Sequence, residues 1–372
     1  MWRLLILVLC LFAILSPVEC LADPFAADEL PAGYITVMDE NGQIILQTGR
    51  IVHAGDEFLN ENNALYQITA VEGPLVRARY AGTESLAHLL PEILPVQAEA
   101  DEVPPPLIGI YHTHTDECFT PSDGISTLPG KGTIMKVGSA LADRLKENGY
   151  RVEHSVTLHD PHDANAYHRS RRTFVKLLAK QPVALFDIHR DSAPLAMYQT
   201  NINGQYAARL LLVVGRQNQN RTTTLNYAKI IKAAADNKYK GLVRGIFIAH
   251  GNYNQDLSPR AMLVEIGTQY GPREAAEYSA TLFADIVPAV LTASAGHVAR
   301  AAPPTEPDTP PALPAAGGWG RDLLLMAGVL AISSVAYLLL STGSLVEAKS
   351  KAYHFLTREF RDLFRSRRKG RS

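Results

Sequence analysis

The chain has 372 residues, the composition of an ordinary globular protein and a formal net charge of -1. That length allows about two or three compact units. The near-neutral charge speaks against nucleic acid as the main partner, because phosphate binding needs a basic face.

Residues 1–22 predict a signal peptide. Arg3 supplies a positive start, Leu4 to Leu15 a short apolar core, and Cys20-Leu21-Ala22 a small-residue cleavage site before Asp23. After cleavage only Cys118 of the three cysteines remains, so no intrachain disulfide forms and the exterior part must rely on its core. Residues 33–82 predict a small all-β unit. Tyr34–Val37 and Gln43–Leu46 flank an Asn41-Gly42 turn, and Leu65–Val71 and Leu75–Tyr80 flank Glu72-Gly73-Pro74. No catalytic pattern is visible in this unit, which reads as a spacer or docking surface. Residues 83–106 read as a linker ending in three prolines.

Residues 107–292 alternate strand and helix patterns. Leu107–Tyr111, Val183–Ile188, Leu210–Val214, Gly245–Ala249 and Ala261–Ile266 read as strands; Ile134–Asn148, Leu225–Lys238 and Pro272–Leu291 read as helices. This alternation predicts an α/β domain with a mixed or mostly parallel sheet, whose function gathers at the carboxyl ends of strands. Residues 293–320, rich in Pro and Ala, read as a second linker. Residues 323–341 carry no charge and approach the ~20 residues of a spanning helix. The basic tail 342–372 would lie in the cytoplasm by the positive-inside rule, with the body of the chain outside the cell.

The chemistry-bearing residues fall at strand ends. His112, His114 and Glu117 follow Tyr111; His189 and Arg190 follow Ile188; Glu265 lies near the end of its strand. Two His and one Glu form an attested catalytic zinc set, which keeps a further position open. The His-x-x-Glu spacing lets His114 and Glu117 grip one ion, with His189 as the third ligand and His112 as the alternative to His114. Glu265, flanked by apolar residues, suits a general base raised in pKa by burial. Arg190, beside His189, is a further catalytic candidate. Arg171, Arg260, Asn254 and Asp256 are candidate substrate contacts, since guanidinium groups pair with peptide carboxylates. Cys118 is a rival nucleophile, weighed below the metal set.

Four strings together carry a family likeness: Ile110–Glu117, Asp187–Ser192, Asn252–Arg260 and Leu263–Thr268 resemble stage II sporulation protein P. The resemblance covers residues 107–292. It implies a zinc amidase-like fold, here preceded by the small β unit and followed by a C-terminal transmembrane helix. It implies a peptidoglycan hydrolase of the N-acetylmuramoyl-L-alanine amidase type, with endopeptidase activity also credited to the family. It gives the site roles to His114, Glu117, His189 and Glu265. It further implies work in engulfment during sporulation, beside a lytic transglycosylase and a membrane scaffold protein. Typical members are anchored near the N-terminus, whereas this chain predicts a C-terminal anchor. Two other functions fit the residues less well: a catalytically silent cell-wall binding protein, and a zinc peptidase acting on proteins.

Overall fold

Apolar alternation around tight turns builds the N-terminal strands. β1 (Ile35–Met38) pairs antiparallel with β2 (Ile44–Thr48), and Gly42 takes a φ of +76° in the turn between them, a conformation that costs glycine no Cβ clash. β3 (Glu57–Asn60), β4 (Ala64–Glu72) and β5 (Leu75–Thr83) continue as antiparallel neighbours. The computed structural model describes residues 29–90, 104–163 and 165–300. All of these belong to one compact unit.

The second stretch alternates strands and helices. β6 (Leu107–Tyr111), α1 (Ile134–Glu147), β7 (Arg151–His154), α2 (Ala166–Leu178) and β8 (Ala184–Asp191) come first. A two-stranded hairpin follows, β9 (Gln199–Ile202) with β10 (Gln205–Ala208). Then come β11 (Leu210–Gly215), α3 (Arg221–Lys238), β12 (Val243–Ala249), β13 (Ala261–Thr268) and α4 (Arg273–Arg300). β8, β11, β12 and β13 are buried along their whole lengths, as expected of central strands covered on both faces.

Strand alternation sorts the two faces. Phe186, Ile188, Met262, Val264 and Ile266 join Val137, Leu141 and Leu145 of α1, Ile231 of α3 and Phe283 and Val287 of α4 in the main core. The opposite face takes Leu211, Val213, Phe247 and Leu263, which pack with Val37, Leu46, Phe58 and Val76 of the N-terminal strands. α2 covers the same side farther along, where Phe174 and Leu177 meet Tyr111 and Leu185.

Two expectations are corrected here. The first is the fold class with a separate small β unit ahead of the amidase-like domain. The sheet is one mixed sheet of eleven strands, in the order β2-β1-β5-β4-β3-β12-β11-β13-β8-β6-β7. β3 joins the halves by pairing antiparallel with β12, Phe58 opposite Phe247 and Leu59 opposite Ile246. Both side chains are about 1% exposed, and burying each contributes about 1.5–3 kcal/mol. The free edge of β12 is thereby paired rather than left open.

The second correction concerns single-pass membrane localisation through a C-terminal helix. Among the described residues no helix is long and apolar enough to cross a membrane. α4 has the length, but it carries Arg273, Glu274, Glu277 and Asp285 and is interrupted by Pro288, which is costly in hydrocarbon. The expected signal peptide 1–22, anchor 323–341 and tail 342–372 lie outside the described residues, as does most of the expected linker 293–320.

Candidate metal centre

Parity and register bring the site together. On β8, Asp187, His189 and Asp191 point to the face opposite the main core, since Phe186 and Ile188 point into it. β13 runs parallel beside β8 with Glu265 opposite His189. β6 flanks β8 on its other side, Tyr111 opposite Asp187. The chain leaving β6 from His112 to Phe119 is wholly buried. Asp187 fastens it, accepting the Thr113 N–H at 2.8 Å and the Thr113 hydroxyl at 2.6 Å. Gly132 closes over the loop. A Cβ there would lie 2.2 Å from the Thr115 carbonyl oxygen, so a larger residue would push the loop out of place.

Four side chains converge where these elements meet. Donor atoms of Glu29, His114, Glu117 and His189 all lie within 4.8 Å of one another. His114 Nδ1 is 3.5 Å from Glu117 Oε1 and 3.4 Å from Glu29 Oε1, and His189 Nδ1 is 3.4 Å from Glu117 Oε1. Behind His189, Asp187 Oδ1 stands 3.0 Å from Nε2. A carboxylate on the far ring nitrogen is the arrangement that orients a ligating imidazole.

The electrostatics suit a cation. Burial works against charge on His189, yet the carboxylates of Asp187 and Glu117 outweigh it and raise the imidazole well above its ordinary pKa. Burial likewise opposes ionisation of Glu117, but His189 and Arg190 hold it below the usual carboxylate range. In the same way His114 and His162 hold the partly buried Glu29 well below that range, against the desolvation of its carboxylate. Glu117 Oε1 and His189 Nδ1 are buried and have no hydrogen-bond partner among the described residues. Buried polar atoms are seldom left so, and a divalent cation bound among these donors satisfies them. The residues therefore fit a metal.

A family model for stage II sporulation protein P matches residues 77–288. The chain belongs to that family. It is 28% identical over 199 residues to stage II sporulation protein P of Bacillus subtilis (strain 168), which covers 48% of this chain and 50% of that protein. The chain thus spans about half the length of the curated relative it matches. Among solved structures, it is similar to the N-acetylmuramyl-L-alanine amidase of Mycobacterium smegmatis, at 13% identity and a TM-score of 0.34, over 52% of this chain and 97% of that one. The N-acetylmuramoyl-L-alanine amidase of Clostridium difficile 630 is similar at 14% identity and a TM-score of 0.34, over 54% of this chain and 100% of that one.

Within the segment matched to the family, the structure separates the candidates. His114, Glu117 and His189 meet at the centre, with Glu265 alongside. His112 is elsewhere: its Nδ1 bonds the Ile188 carbonyl at 2.8 Å and its Nε2 faces His154 Nε2 at 2.9 Å. Burial, with His154 beside it, pushes its pKa down to about 3. Arg190 is tied into the fold. Its backbone N–H donates to Glu117 Oε2 at 3.0 Å, and its guanidinium donates to the carbonyls of Cys118 and Ser126. Cys118 is fully buried. Arg171 grips Asp256 with two hydrogen bonds, at 2.8 and 2.5 Å, and reaches Asn254 Oδ1 at 3.3 Å. Asn254 in turn donates to the Tyr167 carbonyl and Ser170 Oγ. These three are brought together, but by one another, to seat α2. Arg260 stands just before β13, five residues from Glu265, or about 17 Å along the strand.

Glu265 is fully buried. Burial, reinforced by the charges of Asp191 and Glu29, raises its carboxyl to about 8, against the pull of Arg50 and His189. Its Oε1 accepts from Arg50 Nη1 at 2.7 Å, while Oε2 has no hydrogen-bond partner among the described residues.

Four residues of the site lay outside the sequence reading: Glu29, Arg50, His162 and Tyr167. Arg50 is 1% exposed and touches both Glu265 and Glu29, the latter at 3.4 Å. Its guanidinium stands 4.9 Å over the Tyr253 ring, and Nη2 lies 3.4 Å from the Tyr167 hydroxyl. Gly49 seats it: the Gly49 N–H donates to Asp191 Oδ1 at 2.7 Å, and a Cβ at Gly49 would lie 2.6 Å from Ser192 Cβ. His162 stacks on His114 at 3.7 Å and bridges Glu29 at 3.2 Å and Asp116 at 3.1 Å. Burial and His114 oppose its charge, but the two carboxylates raise it to about 9. Glu29 and Arg50 precede the matched segment. Arg50 did carry a signal, a charged residue just past a strand, of the kind that singled out His189.

Proposed function

We propose that the chain is a zinc-dependent peptidoglycan hydrolase that cuts the amide between N-acetylmuramic acid and L-alanine, with endopeptidase cleavage of cross-links as a second activity. The observation that carries this reading is the meeting of His114, Glu117 and His189 beside Glu265 in a chain of the stage II sporulation protein P family. Sporulation or wall remodelling is the setting that the family suggests. A lytic transglycosylase, which opens the glycan strands, is the class of partner that the reading implies.

In this reading His114, Glu117 and His189 hold zinc, and His112 does not. Zinc, when bound, polarises the scissile carbonyl and acidifies water. The chain's own residues do the rest. Asp187 orients His189. Arg50 holds one oxygen of Glu265, which leaves Oε2 to accept a proton from the attacking water. As the carbonyl carbon gains the water oxygen, the C–N bond breaks, and Glu265 returns that proton to the departing amine. A carboxyl raised by burial is suited to both halves of that transfer.

The test is to digest purified sacculi and analyse the products by mass spectrometry. Free stem peptides report amidase action, and split cross-links report endopeptidase action. About one zinc per chain is expected. Full activity in the presence of chelator overturns the zinc reading, and zinc binding with no cleaved wall bond points instead to a silent wall-binding protein.

A further inference from the structure

We propose that Glu29 is a displaceable fourth ligand, which shuts the metal centre until the strap that carries it is withdrawn. The inference rests on the zinc reading of His114, Glu117 and His189, and extends it to a residue outside the family-matched segment.

Coordination chemistry makes the first argument. Structural zinc sites have four protein ligands, whereas hydrolytic sites have three and keep one position for water or substrate. Here the convergent set is four, and the fourth is Glu29. Its Oε1 lies 3.4 Å from His114 Nδ1. With Glu29 in place, the position that hydrolysis needs is taken.

Access makes the second argument. The side chains of His114, Glu117, His189 and Glu265 have no exposed surface, and Arg50 has 1%. Glu29 is 12% exposed and His162, which holds it, 23%. Glu29 and His162, with the partly exposed Tyr167 beside His114, stand on the more exposed side of the centre, where a wall peptide would enter.

The third argument is how lightly the strap is held. His114, Glu117 and His189 sit on or just beyond central strands. Glu29 precedes β1 and belongs to no strand. Its backbone makes one isolated bridge to Arg50, and Leu30 N–H donates to the Gly49 carbonyl at 2.8 Å. Pro31 to Tyr34 are exposed. Among the described residues this segment has few backbone bonds, with Leu30 packed against the core of the N-terminal strands, and it opens before the sheet does. Its departure leaves the 2.7 Å contact between Arg50 and Glu265 in place, so the base stays positioned.

Two readouts of opposite sign test this on the full chain. Glu29→Ala and Glu29→Gln are compared with the parent for zinc affinity, by competition with a chromophoric chelator, and for turnover of sacculi at saturating zinc. Zinc affinity falling by about tenfold or more while turnover rises severalfold is the expected result. Glu29→Gln keeps the side chain's shape, and thermal melting confirms that either variant is folded. Unchanged zinc affinity, or turnover that falls with it, overturns the proposal. His114→Ala separates the two levels. If it loses zinc while both Glu29 variants keep it, the strap proposal fails alone; if it binds zinc like the parent, the metal reading itself fails.

Discussion

Replacing Arg50 by Met removes the guanidinium 2.7 Å from Glu265 and keeps much of the side-chain volume. Both partners are essentially fully buried. Two charges about 4 Å apart at an effective dielectric of about 20 attract by about 4 kcal/mol. Deleting one member of a buried pair typically costs about 3–5 kcal/mol when the other charge stays behind, and less when that group can take up a proton. At about 2–4 °C per kcal/mol for a unit of this size, the ~1.4 kcal/mol that ionisation beside Arg50 adds between pH 8 and pH 9 should make the Arg50→Met deficit about 3–6 °C larger at pH 9 than at pH 7. The pH matters, and its sign can be worked out. The Glu265 carboxyl already sits at about 8 because of burial, and losing Arg50 raises it further. At pH 7 the carboxyl is mostly protonated in parent and variant alike, so ionisation of Glu265 separates them little there. Above pH 8 the parent ionises beside Arg50 and the variant does not, so the gap widens by up to about 1.4 kcal/mol per pH unit. The second variant, Arg50→Met with Glu265→Leu, removes both charges and should regain most of the loss. Denaturation followed by circular dichroism in metal-free buffer completes the cycle. A single variant within about 1 kcal/mol of the parent at pH 9, or a double variant no better than the single, would refute the buried pair and the docking of the N-terminal strands onto the site.

Further outcomes follow from the same geometry. Glu265→Gln should bind zinc normally yet lose about 10²–10⁴ in turnover; product release from sacculi checks this, and retained turnover removes Glu265 as the base. His114→Ala should abolish zinc binding while His112→Asn keeps it, measured by metal content after dialysis; the reverse pattern would restore His112 as the ligand. Burial holds His112 at about 3 and His154 at about 4, below the unfolded value of about 6.5. The unfolded chain therefore binds the extra protons, and stability is lost as pH falls from about 6.5 towards 4. For the fully buried His112 the loss is about 2 kcal/mol at pH 5; denaturant titrations that match at pH 5 and pH 7 would contradict it. Arg171→Gln should cost up to about 1 kcal/mol, as partly exposed pairs do, and leave KM for wall fragments unchanged; a raised KM would show contact with substrate.

Much of the centre was legible from one dimension. His114, Glu117, His189 and Glu265 stand at or just past the ends of β6, β8 and β13, and apolar runs betray such strands because central strands are buried on both faces. The two-residue period then sets their faces: Asp187 and His189 must share one, and Phe186 and Ile188 the other. What a linear pattern lacks is strand order. That β13, β8 and β6 are neighbours follows from which edges pair and which apolar faces meet. The separation of His112 from His114 is likewise tertiary, since the His112 imidazole faces the Ile188 carbonyl and His154.

The N-terminal strands show the limit most clearly. Their hairpins announced themselves through alternation and turns, yet as a separate unit. β3, the strand that joins them to β12, is four residues long, too short for its periodicity to register. Only its pairing with β12 gathers both halves into one sheet. With the halves joined, Gly49 docks against Asp191 and Ser192, bringing Arg50 to Glu265, a residue 215 positions away in sequence. Sequence by itself determined which residues could carry the chemistry and on which face of their strands they stand, because those properties are local. The tertiary structure decided which of them meet, and added Glu29 and Arg50, because that depends on edges pairing and faces burying across the whole chain.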